Sequence, residues 1–107
     1  MRRLLFLCAR NRLRSPTAEA IFSEMAGFEV ASAGTAPDAE CVVDADLVEW
    51  ADTIFCMENR QKKLLQTRFP HALQAKRLVV LGIPDRYGFM QQELVELLRA
   101  RVLPLLR

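Results

Sequence analysis

The stretch Phe6–Phe22, FLCARNRLRSPTAEAIF, contains the change of pattern that decides the fold. The apolar run from Leu4 to Leu7, which overlaps the start of this stretch, predicts a buried strand over residues 3–8, and Cys8 ends that strand. After a polar loop, apolar residues recur at helical spacing. Ser15 suits the N-cap, Pro16 the first helical position and Gly27 the end of the helix. A strand, a short loop and a helix therefore succeed one another within about twenty residues.

The same alternation continues along the whole chain. Further strands are predicted over residues 28–32, 53–57 and 77–83. Helices are predicted over residues 44–51, 59–69 and 91–106, with Pro104 ending the regular part of the last one. The strands are continuous apolar runs, which is typical of a parallel sheet with helices on both faces. We therefore expect one α/β domain over residues 1–107, with about four strands.

Composition excludes several classes of protein. Of the 107 residues, 51% are hydrophobic and 26% charged, as in ordinary globular proteins. No apolar run approaches membrane-span length, and the first apolar patch is too short for a signal peptide, so we expect a cytoplasmic protein with no membrane partner. The basic residues are scattered beyond the N-terminal region, and we expect no nucleic-acid partner. Three cysteines in no metal-ligand spacing (Cys8, Cys41 and Cys56) favour free thiols, with no metal or cofactor.

Cys8 and Arg14 define the predicted site. Ligands of open parallel sheets bind beyond the carboxyl ends of the strands, where Cys8 lies. Loop amides and a helix N-terminus there favour an anion, and Arg14 can add a bidentate hydrogen bond to two of its oxygens. The same positive field favours the nucleophilic thiolate form of Cys8. The spacing C-x5-R followed by Ser15 thus predicts a phosphate-like group held against an attacking cysteine, and the phosphate-binding loop consists of Ala9, Arg10, Asn11, Arg12, Leu13 and Arg14.

Asp85 is the candidate general acid. Loss of an alcohol from a phosphate ester needs a proton on the departing oxygen. Asp85 follows the fourth strand in a loop of Pro and Gly, so it should converge on the pocket of Cys8. Tyr87, two residues later, is a candidate wall for the substrate.

With these residues in place, the chain resembles the low-molecular-weight protein tyrosine phosphatases. The match rests on CARNRLRSPTAEAIF, on SAGT at residues 32–35 and on IPDRYG at residues 83–88. The resemblance implies a flavodoxin-like fold with strand order 2-1-3-4 and a phosphocysteine intermediate on Cys8. Arg14 would bind phosphate, and Asp85 would act first as acid and then as base. Asn11 would support the loop in a left-handed conformation, and Ser15 would hydrogen-bond the cysteine sulfur while capping the helix.

The sequence also departs from the family pattern. Arg10 stands where the family often has glycine, and Leu13 where it often has a second cysteine. Arg10 and Arg12 add positive charge beside the pocket. This charge fits an anionic substrate, and it fits ordinary solvated surface arginines equally well. The segment after SAGT, which contributes a wall of the cleft in the family, is compressed. The expected substrate is a phosphotyrosine-containing protein or a small aryl phosphate ester, and the expected state is a monomer or weak dimer.

Two alternatives stay open. A thioredoxin-coupled arsenate reductase would use the same loop for arsenate, but it needs two further cysteines near the pocket. Cys41 and Cys56 are the only other cysteines, and Cys56 is predicted to be buried in a strand. A non-catalytic phosphate- or phosphoprotein-binding module would keep the loop without efficient turnover.

Overall fold

The computed structural model describes residues 1–106, and within that range the chain alternates strand and helix as predicted. The elements in chain order are β1 (Arg2–Cys8), α1 (Arg14–Phe22), β2 (Phe28–Gly34), α2 (Ala45–Trp50), β3 (Thr53–Cys56), α3 (Asn59–Arg68), β4 (Arg77–Val80) and α4 (Gln92–Val102), followed by a 3₁₀ helix at Leu103–Leu106.

The four strands form one sheet in the order β2-β1-β3-β4, with every pair parallel. This confirms the predicted open α/β sheet and the 2-1-3-4 order that the resemblance implied. In the register, Cys8 lies opposite Gly34 of β2, and Leu7 lies opposite Cys56 of β3. The carboxyl ends of β2, β1 and β3 therefore meet at one edge of the sheet.

Both faces of the sheet are buried, because successive side chains of β1 point to opposite faces. Leu4 and Phe6 join the apolar cluster formed with α1 and α4. Phe6 stacks there on Phe22 of α1 and on Phe55 of β3, with ring centroids 5.4 and 4.9 Å apart. The intervening residues of β1 pack on the other face, against α2 and α3. A strand buried on both sides has to be apolar at every position, and this explains the unbroken run at residues 4–7.

The start of α1 differs from the prediction. The helix begins at Arg14, with Leu13 rather than Ser15 at the N-cap position, and no side chain caps it there. The first helical hydrogen bond runs from the Thr17 N–H to the Leu13 carbonyl at 3.1 Å. Ser15 is thus already inside the helix, where its fully buried hydroxyl serves the neighbouring cysteine.

The C-terminal ends of α1 and β4 also differ from the prediction. α1 stops at Phe22, and residues 23–26 form turns before Gly27, whose φ of +88° suits glycine at the turn into β2. β4 stops at Val80 rather than Ile83, because Gly82 has a left-handed φ of +68° that leaves strand geometry. The Ile83 N–H still bonds the Met57 carbonyl at 2.8 Å, so the chain continues beside β3. The predicted change at Pro104 is confirmed by the 3₁₀ helix.

Candidate active site

The carbonyl groups at the start of the loop between β1 and α1 accept hydrogen bonds from the segment that follows β2. Three successive carbonyls, of Cys8, Ala9 and Arg10, accept hydrogen bonds from the N–H groups of Thr35, Ala36 and Glu40 at 3.1, 2.8 and 3.0 Å. In a trans peptide the carbonyl and the following N–H point in opposite directions. The N–H groups of residues 9–11 therefore point away from the 35–40 segment. That of Asn11 donates to Cys8 Sγ at 3.3 Å, and those of Ala9 and Arg10 can donate to an anion bound there.

Gly34, in the SAGT motif, lets these two segments approach. A Cβ added to Gly34 would lie 2.6 Å from the Ala9 carbonyl oxygen and 2.6 Å from the Ala39 Cβ. Neither contact is sterically possible without movement of the loop. The motif's glycine is thus required by backbone contact with the phosphate-binding loop.

Cys8 is only 3% exposed, and its sulfur lies among hydrogen-bonding groups. The Asn11 N–H donates to Sγ at 3.3 Å, and Ser15 Oγ lies 3.0 Å from it. Ser15 Oγ also accepts a hydrogen bond from the Asn11 side-chain amide at 3.0 Å, and its one proton is shared between the sulfur and the Ala33 carbonyl oxygen, which lies 3.3 Å away. The Asn11 N–H and the Ser15 hydroxyl thus hold the sulfur in position behind the loop.

Asn11, in the middle of the loop, is fixed by hydrogen bonds of its side-chain amide. Its φ is +56°, the left-handed conformation that asparagine tolerates. Besides the bond to Ser15, its amide nitrogen donates to Ser32 Oγ at 2.9 Å, and the Ser32 hydroxyl in turn donates to Glu19. A partly buried chain of polar groups thus connects α1 and β2 to the loop and ends at Cys8.

Arg14 lies beneath the cavity and is fixed at one edge of its guanidinium. The residue is 2% exposed. Its Nη1 donates to Glu58 Oε1 at 2.7 Å and to the Ile83 carbonyl at 2.8 Å. A guanidinium has five N–H groups, and Nη1 carries two of them. The Nε–H and the two Nη2 N–H groups remain for an oxyanion, with Asp85 Oδ1 at 3.7 Å from Nε.

Glu58 is the residue of this arrangement that the sequence prediction missed. It lies directly before α3, and Gln61 accepts a hydrogen bond from its backbone N–H. Burial raises the pKa of Glu58, but hydrogen bonds and positive charge from Arg14 and Arg60 outweigh it, and the net pKa is lowered. Its one sequence signal was the E-x-x-Q spacing of a helix start after the third strand.

Asp85 lies in the loop between β4 and α4, with its side chain 60% exposed. This loop is attached to the phosphate-binding loop through Thr17, whose buried hydroxyl accepts a hydrogen bond from the Met90 N–H at 2.9 Å. The same hydroxyl donates to the Leu13 carbonyl at 2.7 Å. Thr17 therefore connects the segment that carries Asp85 to the start of α1.

These groups surround one cavity of about 210 Å³, lined by Cys8, Arg10, Arg12, Leu13, Arg14 and Asp85. The loops thus bring the predicted nucleophile, phosphate-binding arginine and acid together. Ala9, Asn11 and Ser15 support the cavity from behind its lining. Tyr87 does not line it, because its half-buried ring packs against the apolar cluster beneath α4, and its role as a substrate wall stays a prediction.

The other two cysteines lie away from this cavity. Cys56 is fully buried in β3, and burial raises its pKa to about 12, against a smaller opposing effect of Lys62. Cys41 is exposed beside α2, in a shallow pocket with Trp50. Neither thiol belongs to the set that lines the cavity at Cys8.

Two features concern residues 1–106 as a whole. No three His, Cys, Asp or Glu side chains in this range are grouped so that they could hold a metal ion. None of the helices in the same range has the length and apolar character needed to cross a membrane.

Comparison with solved structures identifies the class of fold. No family model and no curated protein matches the sequence. Solved structures do match: the fold is that of the low-molecular-weight protein tyrosine phosphatases and the related arginine phosphatases.

Two neighbours show the extent of this likeness. The YwlE arginine phosphatase of Geobacillus stearothermophilus is 23% identical, with a TM-score of 0.78 over 99% of this chain and 93% of that one. The low-molecular-weight protein tyrosine phosphatase of Streptococcus pyogenes is 18% identical, with a TM-score of 0.79 over 99% of this chain and 91% of that one. The fold that the resemblance implied is thereby confirmed over nearly the whole chain.

Proposed function

We propose that the chain is a cysteine-dependent phosphatase that hydrolyses phosphate monoesters, aryl phosphates and phosphotyrosine among them. The observation that carries the proposal is the convergence of Cys8, Arg14 and Asp85 on one small cavity beneath inward-facing loop amides. The fold neighbours support it, since they include protein tyrosine phosphatases.

In the first step, the Cys8 thiolate attacks phosphorus. The S–P bond forms as the P–O bond to the alcohol breaks, and Asp85 gives its proton to the departing oxygen. The free N–H groups of Arg14 and the loop amides donate to the phosphoryl oxygens, where charge is spread in the transition state. In the second step, water attacks the phosphocysteine, Asp85 takes the water proton, and the S–P bond breaks to release phosphate and the Cys8 thiolate.

The test is release of p-nitrophenol from p-nitrophenyl phosphate with a chelator present and no added metal. Cys8→Ser should abolish turnover, and Cys41→Ser is the matched control because that thiol is exposed outside the cavity. Activity that survives Cys8→Ser, or that requires a divalent metal, would contradict the mechanism.

Asp85 is tested by the leaving group. Asp85→Ala should slow hydrolysis of phenyl phosphate about 10²–10⁴-fold, the usual contribution of acid catalysis. p-Nitrophenolate is a good leaving group that needs little protonation, so the hydrolysis of p-nitrophenyl phosphate should slow less. Equal losses for the two esters would mean that another residue donates the proton.

An arsenate reductase is less well supported. Its thiol relay would have to use Cys41 and Cys56, and a thiol with a pKa of about 12 stays protonated near neutral pH. Thioredoxin-coupled arsenate reduction that is lost in Cys41→Ser or Cys56→Ala would favour this reading. The non-catalytic binding module would instead bind phosphate and turn over no ester.

A further inference from the structure

The three arginines that line the cavity differ in their surroundings. Arg14 is buried and held by Glu58 and the Ile83 carbonyl. The side chains of Arg10 and Arg12 are 61% and 51% exposed at the opening. The phosphate bound at Cys8 engages the buried arginine, so the two exposed guanidinium groups face whatever part of the substrate extends outward.

Within residues 1–106, the charged partners of the two exposed arginines are weak. Arg10 Nε lies 3.9 Å from Asp38, and Arg12 Nε lies 3.3 Å from Glu40, with both carboxylates more than half exposed. Exposed pairs of this kind contribute little, since solvent screens them. A substrate anion can therefore replace Asp38 and Glu40 as the partner at small cost.

The remaining lining offers no aromatic surface. Leu13 is the apolar residue of the lining, and Tyr87 packs away from the cavity. An aryl group alone thus finds one aliphatic side chain at the opening, while an anionic group finds two planar guanidinium groups suited to carboxylate or phosphate.

From this arrangement we propose that Arg10 and Arg12 are specificity-determining residues that select phosphate monoesters carrying a second anionic group beside the scissile phosphate. The inference rests on the proposed phosphatase function and adds its substrate class. A phosphotyrosine segment with acidic neighbours and a small aryl bisphosphate share this chemistry.

The experiment compares kcat/KM for three phosphotyrosine peptides that differ only in the flanking residues: glutamate, glutamine or lysine. Two exposed ion pairs of ordinary strength predict a roughly 2- to 30-fold preference for glutamate over glutamine, with lysine lowest. The preference should shrink as NaCl rises from about 0.05 to 0.5 M, because screening lengths fall severalfold.

A second comparison, of kcat/KM for resorcinol bisphosphate and resorcinol monophosphate, tests whether the second anion belongs to a polypeptide or to a small molecule. A preference in the peptides alone assigns the anion to a polypeptide, a preference in the resorcinol pair alone assigns it to a small molecule, and a preference in both shows that the second anion suffices.

Variants move the glutamate-to-glutamine ratio in opposite directions. Arg10→Gln with Arg12→Gln should bring the ratio near one, and Asp38→Asn with Glu40→Gln should increase it. Lys63→Gln with Arg99→Gln removes the same charge from α3 and α4 outside the lining, and should leave the ratio as in wild type. Because each ratio is taken within one variant, a changed basal rate does not affect it.

p-Nitrophenyl phosphate is the reference in every arm. If the wild type hydrolyses it and the ratios for peptides and resorcinol phosphates are all near one, the inference is overturned and the proposed function stands. An unchanged ratio in the double arginine variant would also overturn it. If the wild type hydrolyses no ester at all, the proposed function fails and the inference fails with it.

Discussion

Replacing Glu58 by glutamine removes the carboxylate that holds Arg14 while keeping nearly the same shape. The Arg14 side chain is 2% exposed and that of Glu58 27%, with 2.7 Å between Nη1 and Oε1. A hydrogen bond between charged groups contributes about 1.5–3 kcal/mol, and the partial exposure of Glu58 places the expected loss of unfolding free energy at about 1–2 kcal/mol. Arg14 is expected to stay buried with only the exposed Asp85 carboxylate, 3.7 Å from Nε, near its positive charge, which is why the loss exceeds that of a surface substitution.

The loss should depend on pH with a definite sign. Because the pKa of Glu58 is lowered in the folded protein, its stabilisation is fully present above its ordinary pKa of 4.5 and is lost as pH falls through the folded value. The difference in unfolding free energy between wild type and Glu58→Gln should therefore be constant from pH 8 to about 5.5, and should shrink below pH 4.5.

The assay is urea unfolding followed by circular dichroism at each pH. Glu24→Gln is the matched control, since Glu24 is an exposed residue just after α1, and its effect should stay within about 0.5 kcal/mol. A Glu58→Gln loss no larger than that of the control would refute the anchoring of Arg14. A loss that is the same at pH 3.5 and pH 7 would refute the assignment to the ionised carboxylate.

Three other substitutions test other parts of the site. Gly34→Ala should cost about 1–3 kcal/mol and weaken inhibition by inorganic phosphate, because its Cβ would displace Ala9; unchanged phosphate inhibition would contradict the contact. Thr17→Val should slow phenyl phosphate hydrolysis more than p-nitrophenyl phosphate hydrolysis, since it frees the segment that carries Asp85, and Thr17→Ser should restore both rates. In a Cys8→Ser background, mass spectrometry should find maleimide on Cys41 at once and on Cys56 only after unfolding; rapid labelling of native Cys56 would contradict its burial.

The sequence was sufficient for the sheet because its two central strands, β1 and β3, are buried on both faces. Unbroken apolar runs such as Leu4–Leu7 are typical of strands covered on both faces, and they indicated a parallel sheet. Element ends were less accurate for local reasons. A serine and a proline after the loop indicated a cap at Ser15, but the hydroxyl lies 3.0 Å from Cys8 Sγ and the helix starts two residues earlier than predicted.

Cys8, Arg14 and Asp85 could be chosen from sequence because each lies at or just after the carboxyl end of a parallel strand or at the helix that follows it. Tyr87 shows the limit of that rule. Two residues from Asp85, it turns into the apolar cluster, since the chain direction after Pro84 decides which side chains face the cavity. Nothing in the spacing of IPDRYG determines that direction.

Glu58 and Thr17 could not be predicted because their roles depend on distances between elements rather than on local pattern. Glu58 reaches Arg14 only because β3 lies next to β1, which places the start of α3 beside the start of α1. Thr17 meets Met90 only because α1 and the β4–α4 loop pass each other 73 residues apart in the chain. The candidate catalytic residues are thus indicated by the strand ends, whereas the residues that hold them in position depend on how neighbouring elements pack. It follows that the three variants should have different effects. Glu58→Gln should lower the free energy of unfolding, Thr17→Val should slow the proton transfer by Asp85, and Cys8→Ser should remove the nucleophilic attack.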